Sequence, residues 1–97
     1  MPAGYWITMY KSIKSAEKLA AYAAIGGPVI IAQGGKFIAR GMPTEVFEAG
    51  QMERTVVIRF ESVEAAIKTY KSAEYKLALD ALGDGAEREI RIVEGTE

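Results

Sequence analysis

The order of elements in this 97-residue sequence predicts an α+β fold of the ferredoxin-like type, β-α-β-β-α-β around a four-stranded antiparallel sheet. Three observations carry that prediction. Four short stretches are rich in β-branched, aliphatic and aromatic residues, as strands require. Apolar residues at helical spacing follow the first and third of them, while only a broken, turn-rich stretch separates the second from the third. The two halves also echo each other: Tyr10-Lys-Ser-Ile13 and Phe60-Glu-Ser-Val63 each pass from strand to helix through an aromatic, a charged residue, a serine and an aliphatic.

The first strand is expected over Tyr5–Tyr10, apolar enough to be buried on both faces. Ser12 and Ser15 are alternative N-caps for the helix that follows, with Glu17 well placed against its N-terminal dipole. Ala16, Leu19, Ala20, Ala23 and Ala24 form its apolar stripe. Gly26-Gly27-Pro28 is expected to interrupt it, because proline disfavours a helical residue before it and suits the first turn of a new helix. A short helix through Val29–Ala32 would then end at Gly34-Gly35, where glycine makes a left-handed C-cap inexpensive. Lys36–Gly41 reads as the second strand, with Thr44–Glu48 as an extension beyond a Met42-Pro43 break. Arg54–Glu61 is the third and clearest strand. Ser62 caps a helix whose buried face is Val63, Ala66, Ile67 and Tyr70, at i, i+3, i+4 and i+7. Ser72 opens a further helical segment through Leu82, and Gly83-Asp-Gly85 leads into a fourth strand over Glu87–Val93.

Length predicts one domain over residues 1–97, and a chain this short gains from the apolar burial of a homodimer interface. A net charge of −1 gives no electrostatic footprint for nucleic acid. The longest apolar run, Pro28–Ala32, is far below the ~20 residues that span a bilayer, and the first residues lack the pattern of a targeting segment. A cytoplasmic protein with no membrane or nucleic-acid partner is the expectation. Cysteine and histidine are both missing, which removes the thiolate nucleophile and the commonest metal ligand and general base. No metal site and no cofactor are expected, and a serine nucleophile has no histidine to activate it. The glycine pairs at 26–27 and 34–35 lack the Lys-Ser/Thr ending of a phosphate loop.

Gly4-Tyr-Trp-Ile7, the 34–41 stretch Gly-Gly-Lys-Phe-Ile-Ala-Arg-Gly, the strand from Arg54 to Ser62, Tyr70-Lys-Ser-Ala-Glu-Tyr75 and Val93-Glu-Gly95 occur in one order along nearly the whole chain. Together they resemble the domain of unknown function family 1330 (DUF1330). The resemblance implies a dimeric α+β barrel, in which two ferredoxin-like sheets pack face to face. That superfamily includes cofactor-free monooxygenases, muconolactone isomerases, haem-handling enzymes and plain ligand-binding modules. The sequence departs from the family at two positions, where Ile-Glu-Phe-Pro-Ser becomes Ile58-Arg59-Phe60-Glu61-Ser62.

Candidate site residues follow from these elements. Alternation puts Arg54, Val56, Ile58 and Phe60 on one face of the third strand, with Thr55, Val57, Arg59 and Glu61 on the other. Arg59 either grips an anionic ligand or pairs with an acid of this chain or a second copy. A proton carrier, without His or Cys, would have to be Glu61 beside it, Glu45, Glu48 or a perturbed Tyr or Lys. Arg40 either orients a carboxylate or carbonyl group or is an ordinary edge arginine; Arg54 reads as structural. Tyr22 and Tyr75 offer phenol hydroxyls, with Tyr75 placed to close a pocket between sheet and helices. Ser72 is a pocket candidate that its capping role already explains. Three functions remain open: a module binding a small anionic or aromatic metabolite, a cofactor-independent isomerase or monooxygenase, and a structural or partner-binding dimer.

Overall fold

The computed structural model describes residues 2–97. The chain runs β1 (Gly4–Ile13), α1 (Ala16–Ala32), β2 (Lys36–Gly41), β3 (Thr55–Phe60), α2 (Val63–Tyr70), α3 (Ala73–Leu82) and β4 (Ala86–Glu94). The strands form one antiparallel sheet in the order β2-β3-β1-β4, the ferredoxin-like arrangement that the sequence predicts. In β1 the pleat buries Trp6, Thr8 and Tyr10, and in β3 it buries Val56, Ile58 and Phe60. These side chains meet Tyr22 and Ile30 of α1, Ala66 of α2, and Tyr75, Ala78 and Leu82 of α3 in one core on the helix-covered face. The first strand is therefore buried on one face only. Tyr5, Ile7 and Met9 point to the other face and are partly exposed.

Serines begin all three helices. The Ser15, Ser62 and Ser72 hydroxyls accept from the amides of Lys18, Ala65 and Tyr75, each at 3.1 Å. Ser12 is not a cap, because β1 continues through it to Ile13, past an irregularity in its pairing with β4. The expected break at Gly26-Gly27-Pro28 is absent, and α1 is continuous with Pro28 inside it. Packing on both sides of the proline accounts for this: Tyr22, Gly26 and Ile30, four residues apart, are all buried. Ala24, whose carbonyl loses its amide partner to Pro28, is exposed along with Pro28, so water can replace the missing donor. The helix does end at the predicted glycines. Gly34, at φ 95°, donates to the Ile31 carbonyl and Gly35 to that of Ile30, a Schellman closure.

Thr44–Glu48 is not a strand. Gly41 already pairs with Thr55, the first residue of β3, so the chain beyond it has no facing partner. Residues 42–54 form instead a loop between β2 and β3 with Phe47 exposed. On α2 the buried face is Ala66 and Thr69, while Ile67 and Tyr70 are 38% and 37% exposed. Threonine is tolerated there because its hydroxyl donates to the Ala65 carbonyl at 2.9 Å. The Tyr70 ring still contacts those of Trp6 and Tyr75, with centroids 5.6 Å and 5.2 Å away. Among the described residues no helix is long and apolar enough to cross a membrane.

A continuous helix with an exposed internal proline should be improvable. Replacing Pro28→Ala is expected to raise the unfolding free energy by roughly 1–3 kcal/mol, read from urea denaturation. An unchanged midpoint would mean that α1 is bent in a way only proline suits.

Candidate functional site

A cavity of about 360 Å³ lies between α1 and the sheet. Its origin is the alanine stripe. Ala16, Ala20, Ala23 and Gly27 line the helix side of the cavity, and their small side chains leave unfilled the space above Val56 and Ile58. Ala20 and Ala23 thus count as exposed although they belong to the stripe that marks the helix as amphipathic. Thr8 and Ile13 of β1, and Phe37 of β2, add further wall. A second, more open depression of about 560 Å³ runs between α2, α3 and β4, past Ile67, Tyr70 and Ile92.

The polar lining of the cavity under α1 is cationic and phenolic. It consists of Arg40, Arg54 and Arg88 with Tyr10, Tyr22 and Thr8, and contains no carboxylate. The Arg88 side chain organises it. One terminal nitrogen donates to the Tyr10 hydroxyl at 3.4 Å and the other to the Tyr75 hydroxyl at 3.2 Å. The guanidinium also lies over the Tyr22 ring, 4.5 Å from its centroid. Tyr75 is fully buried behind the cavity, with its ring edge-on to Trp6 and its hydroxyl 2.6 Å from that of Tyr22. Trp6 is satisfied separately, donating from Nε1 to Thr8 Oγ1 at 2.8 Å.

Burial pushes the Tyr75 phenol well above its ordinary value, and the adjoining Tyr22 adds to this against the opposing pull of Arg88. For Arg88, burial works against the charge but is outweighed by the Tyr22 and Tyr75 oxygens, so the net direction is upward. Arg88 is a permanent cation held by the hydroxyls of Tyr10 and Tyr75. None of the ion pairs among the described residues involves Arg40, Arg54 or Arg88; they join Lys11 and Arg91 to Glu89, Lys18 to Asp84, and Lys76 to Asp80. Among the described residues no three acidic side chains gather into one group.

The structure separates the candidates named from sequence. Arg40, its guanidinium 4.5 Å from the Phe37 ring centroid, borders the cavity, as does Tyr22. Tyr75 does not line it but is bonded to Tyr22, which does. Arg59 and Glu61 lie elsewhere. Arg59 pairs with Tyr5 and Lys36 on the sheet face turned away from the helices, and both Arg59 and Glu61 are exposed. Ser72 is spent on its cap, donating also to the Thr69 carbonyl at 2.8 Å. Arg88 and Tyr10 escape the sequence reading, and Arg54 belongs to the cavity rather than to structure alone. A signal for Arg88 was present: it shares strand parity with Ile90 and Ile92, so an arginine sits on an otherwise apolar face.

Fold and cavity together define a ferredoxin-like α+β protein with an arginine-rich hollow between its long helix and its sheet. The chain belongs to the DUF1330 family, a domain of unknown function whose model matches residues 3–96. No curated protein matches it significantly. Among solved structures it is similar to RPA0582, a protein of unknown function from Rhodopseudomonas palustris (16% identity, TM-score 0.77, covering 99% of this chain and 84% of that one). It is also similar to SnoaB, a cofactor-independent oxygenase from Streptomyces nogalater (12% identity, TM-score 0.68, covering 100% and 96%). A NIPSNAP family protein of unknown function from Agrobacterium tumefaciens shares the fold as well (19% identity, TM-score 0.61, covering 96% and 87%). At these identities the likeness is one of fold.

The raised Tyr75 value has a consequence for stability. Its folded value exceeds the 10.0 of a free phenol, so the unfolded chain loses this proton first on alkalinisation. The contribution is complete below that pH and is lost as pH rises above it. Urea midpoints should fall steeply above about pH 10 in the wild type and less steeply in Tyr75→Phe. Parallel curves would show that Tyr75 is not the responsible group.

Proposed function

We propose that the protein binds a small anion with a flat apolar body in the cavity under α1, through Arg88 with Arg40, Arg54 and the Tyr10 and Tyr22 hydroxyls. The observation that carries this reading is Arg88: a partly buried cation on the cavity wall, anchored by the Tyr10 hydroxyl there and the Tyr75 hydroxyl behind it, with no carboxylate in the cavity lining. Leaving a desolvated charge without a counter-ion is costly, and an anionic ligand removes that cost. The volume, about 360 Å³, lies at the small end of ligand sites and fits a single-ring molecule. Apolar walls from Phe37, Val56, Ile58 and Leu19 favour an aromatic or branched aliphatic body over a bare inorganic ion.

The fold likeness to SnoaB, a cofactor-independent oxygenase, supports a second reading in which the bound anion is a substrate. Such chemistry draws its reactivity from the substrate and needs a group that moves a proton. The cavity lining holds no carboxylate, and the sequence has no histidine or cysteine, so binding is the reading better supported.

We further infer that the unit is a single domain over 1–97 that pairs with a second copy through the sheet face opposite the helices. There Ile7 and Met9 of β1 and Val57 of β3 lie side by side, partly exposed, with charged Lys11, Arg59 and Arg91 around them. An apolar centre with a charged surround is the pattern of a dimer interface.

Both parts are measurable. Benzoate and its ring-substituted relatives should raise the thermal midpoint in a concentration-dependent way, while benzamide should not. Arg88→Gln should weaken benzoate binding at least about tenfold, the value of one charge-assisted hydrogen bond. Equal binding of benzamide, or an Arg88→Gln protein that binds like wild type, would sink the reading. Sedimentation at micromolar concentration should show a dimer, and Val57→Glu a folded monomer. A monomeric wild type overturns the pairing but leaves the cavity reading intact.

A further inference from the structure

The hydrogen bonds around Arg88 fix a direction, and the direction narrows the ligand. A guanidinium only donates. The Tyr75 oxygen therefore accepts from Arg88, and its own proton needs an acceptor, because the side chain is fully buried and a lone hydroxyl there is costly. The Tyr22 oxygen, 2.6 Å away, is the acceptor within reach. The opposite assignment, with Tyr22 donating, would leave the Tyr75 proton stranded in the core. Tyr75 thus donates to Tyr22, which leaves the Tyr22 proton uncommitted on a side chain that lines the cavity. The same logic holds on the other branch. Tyr10 accepts from Arg88, so its proton too is free, and Tyr10 also lines the cavity.

The geometry points to a preset donor site for one negatively charged oxygen conjugated to a flat ring or double bond, a phenolate or an enolate. Arg88 polarises Tyr10 directly, and Tyr22 both by lying against its ring and through Tyr75, and the side chains of both phenols line the cavity. This deepens the anion-binding reading and rests on it. Successive donors in a chain strengthen one another, so Tyr22 is a better donor than an isolated phenol. Donors fixed before the ligand arrives favour the form that carries charge on oxygen. The charged and titratable groups facing the site are Arg88 on β4, Arg40 on β2, Arg54 ahead of β3, Tyr10 on β1, Tyr22 on α1 and, behind it, Tyr75 on α3. All are cations or donors. A carboxylate spreads its charge over two oxygens and uses such a site less fully than a single oxyanion does.

The probe is 4-nitrophenol, whose phenol and phenolate absorb at different wavelengths. Bound to the protein, its absorbance midpoint should move to lower pH by about one unit, an approximately tenfold preference for the phenolate. Tyr22→Phe and Tyr10→Phe, each removing a hydroxyl that lines the cavity, should each lose a substantial part of that displacement. Tyr75→Phe should lose part of it as well, although Tyr75 does not touch the ligand. That indirect loss is the signature of the relay, and circular dichroism of each variant checks that it is folded. Displacement of 4-nitrophenol by benzoate confirms that both share the cavity. Binding with no midpoint change, or a change that survives Tyr22→Phe and Tyr10→Phe together, overturns the oxyanion site while anion binding stands. If neither 4-nitrophenol nor benzoate binds, both readings fall.

Discussion

The Arg88 guanidinium is the interaction on which the rest of the cavity depends. It extends from β4, is held by a phenol of β1 and a phenol of α3, and lies against the ring of a third tyrosine on α1. The first two elements of the chain and the last two are thereby tied at one point. A cation in that place is tolerable because phenol oxygens replace part of its lost water, and burial disfavours ionisation of the Tyr75 phenol among them. Arginine suits the position in a way lysine does not, since its planar head can donate from two nitrogens while stacking on a ring.

Much of the fold was legible because it rests on local chemistry. Three serines at helix starts, glycines at the end of α1 and the parity of Val56, Ile58 and Phe60 each impose their structure within a few residues. The failures occurred where tertiary packing overrode local preference. Pro28 should break a helix, yet buried Tyr22 and Ile30 on either side keep α1 whole. Ile67 and Tyr70 look more apolar than Thr69, yet the threonine is the one buried, its hydroxyl satisfied by the preceding turn.

The site was less legible than the fold. Arg40 and Tyr22 emerged as candidates, and Tyr75 as the group that would close a pocket. Arg59 differs from the family pattern, but the pleat turns it to the face opposite the cavity. Arg88 is visible only once β4 is placed at the edge beside β1, which brings Tyr10 opposite it in the register. A residue's parity can be read along one strand, whereas its partners across strands and helices cannot.

The loop from Met42 to Arg54 joins β2 to β3 and carries none of the buried core. Arg40 lies in β2 two residues before it and Arg54 at its end, so the other two cations that line the cavity stand at either root of one connection. Loops of this kind accept insertion and substitution far more readily than the elements they join. The scaffold is consequently modular: Arg88 and its tyrosines are locked into the core, while the other two cations ride at the roots of a segment free to drift. If the cavity binds an anion as proposed, its preference can be altered there without any change in the packing beneath.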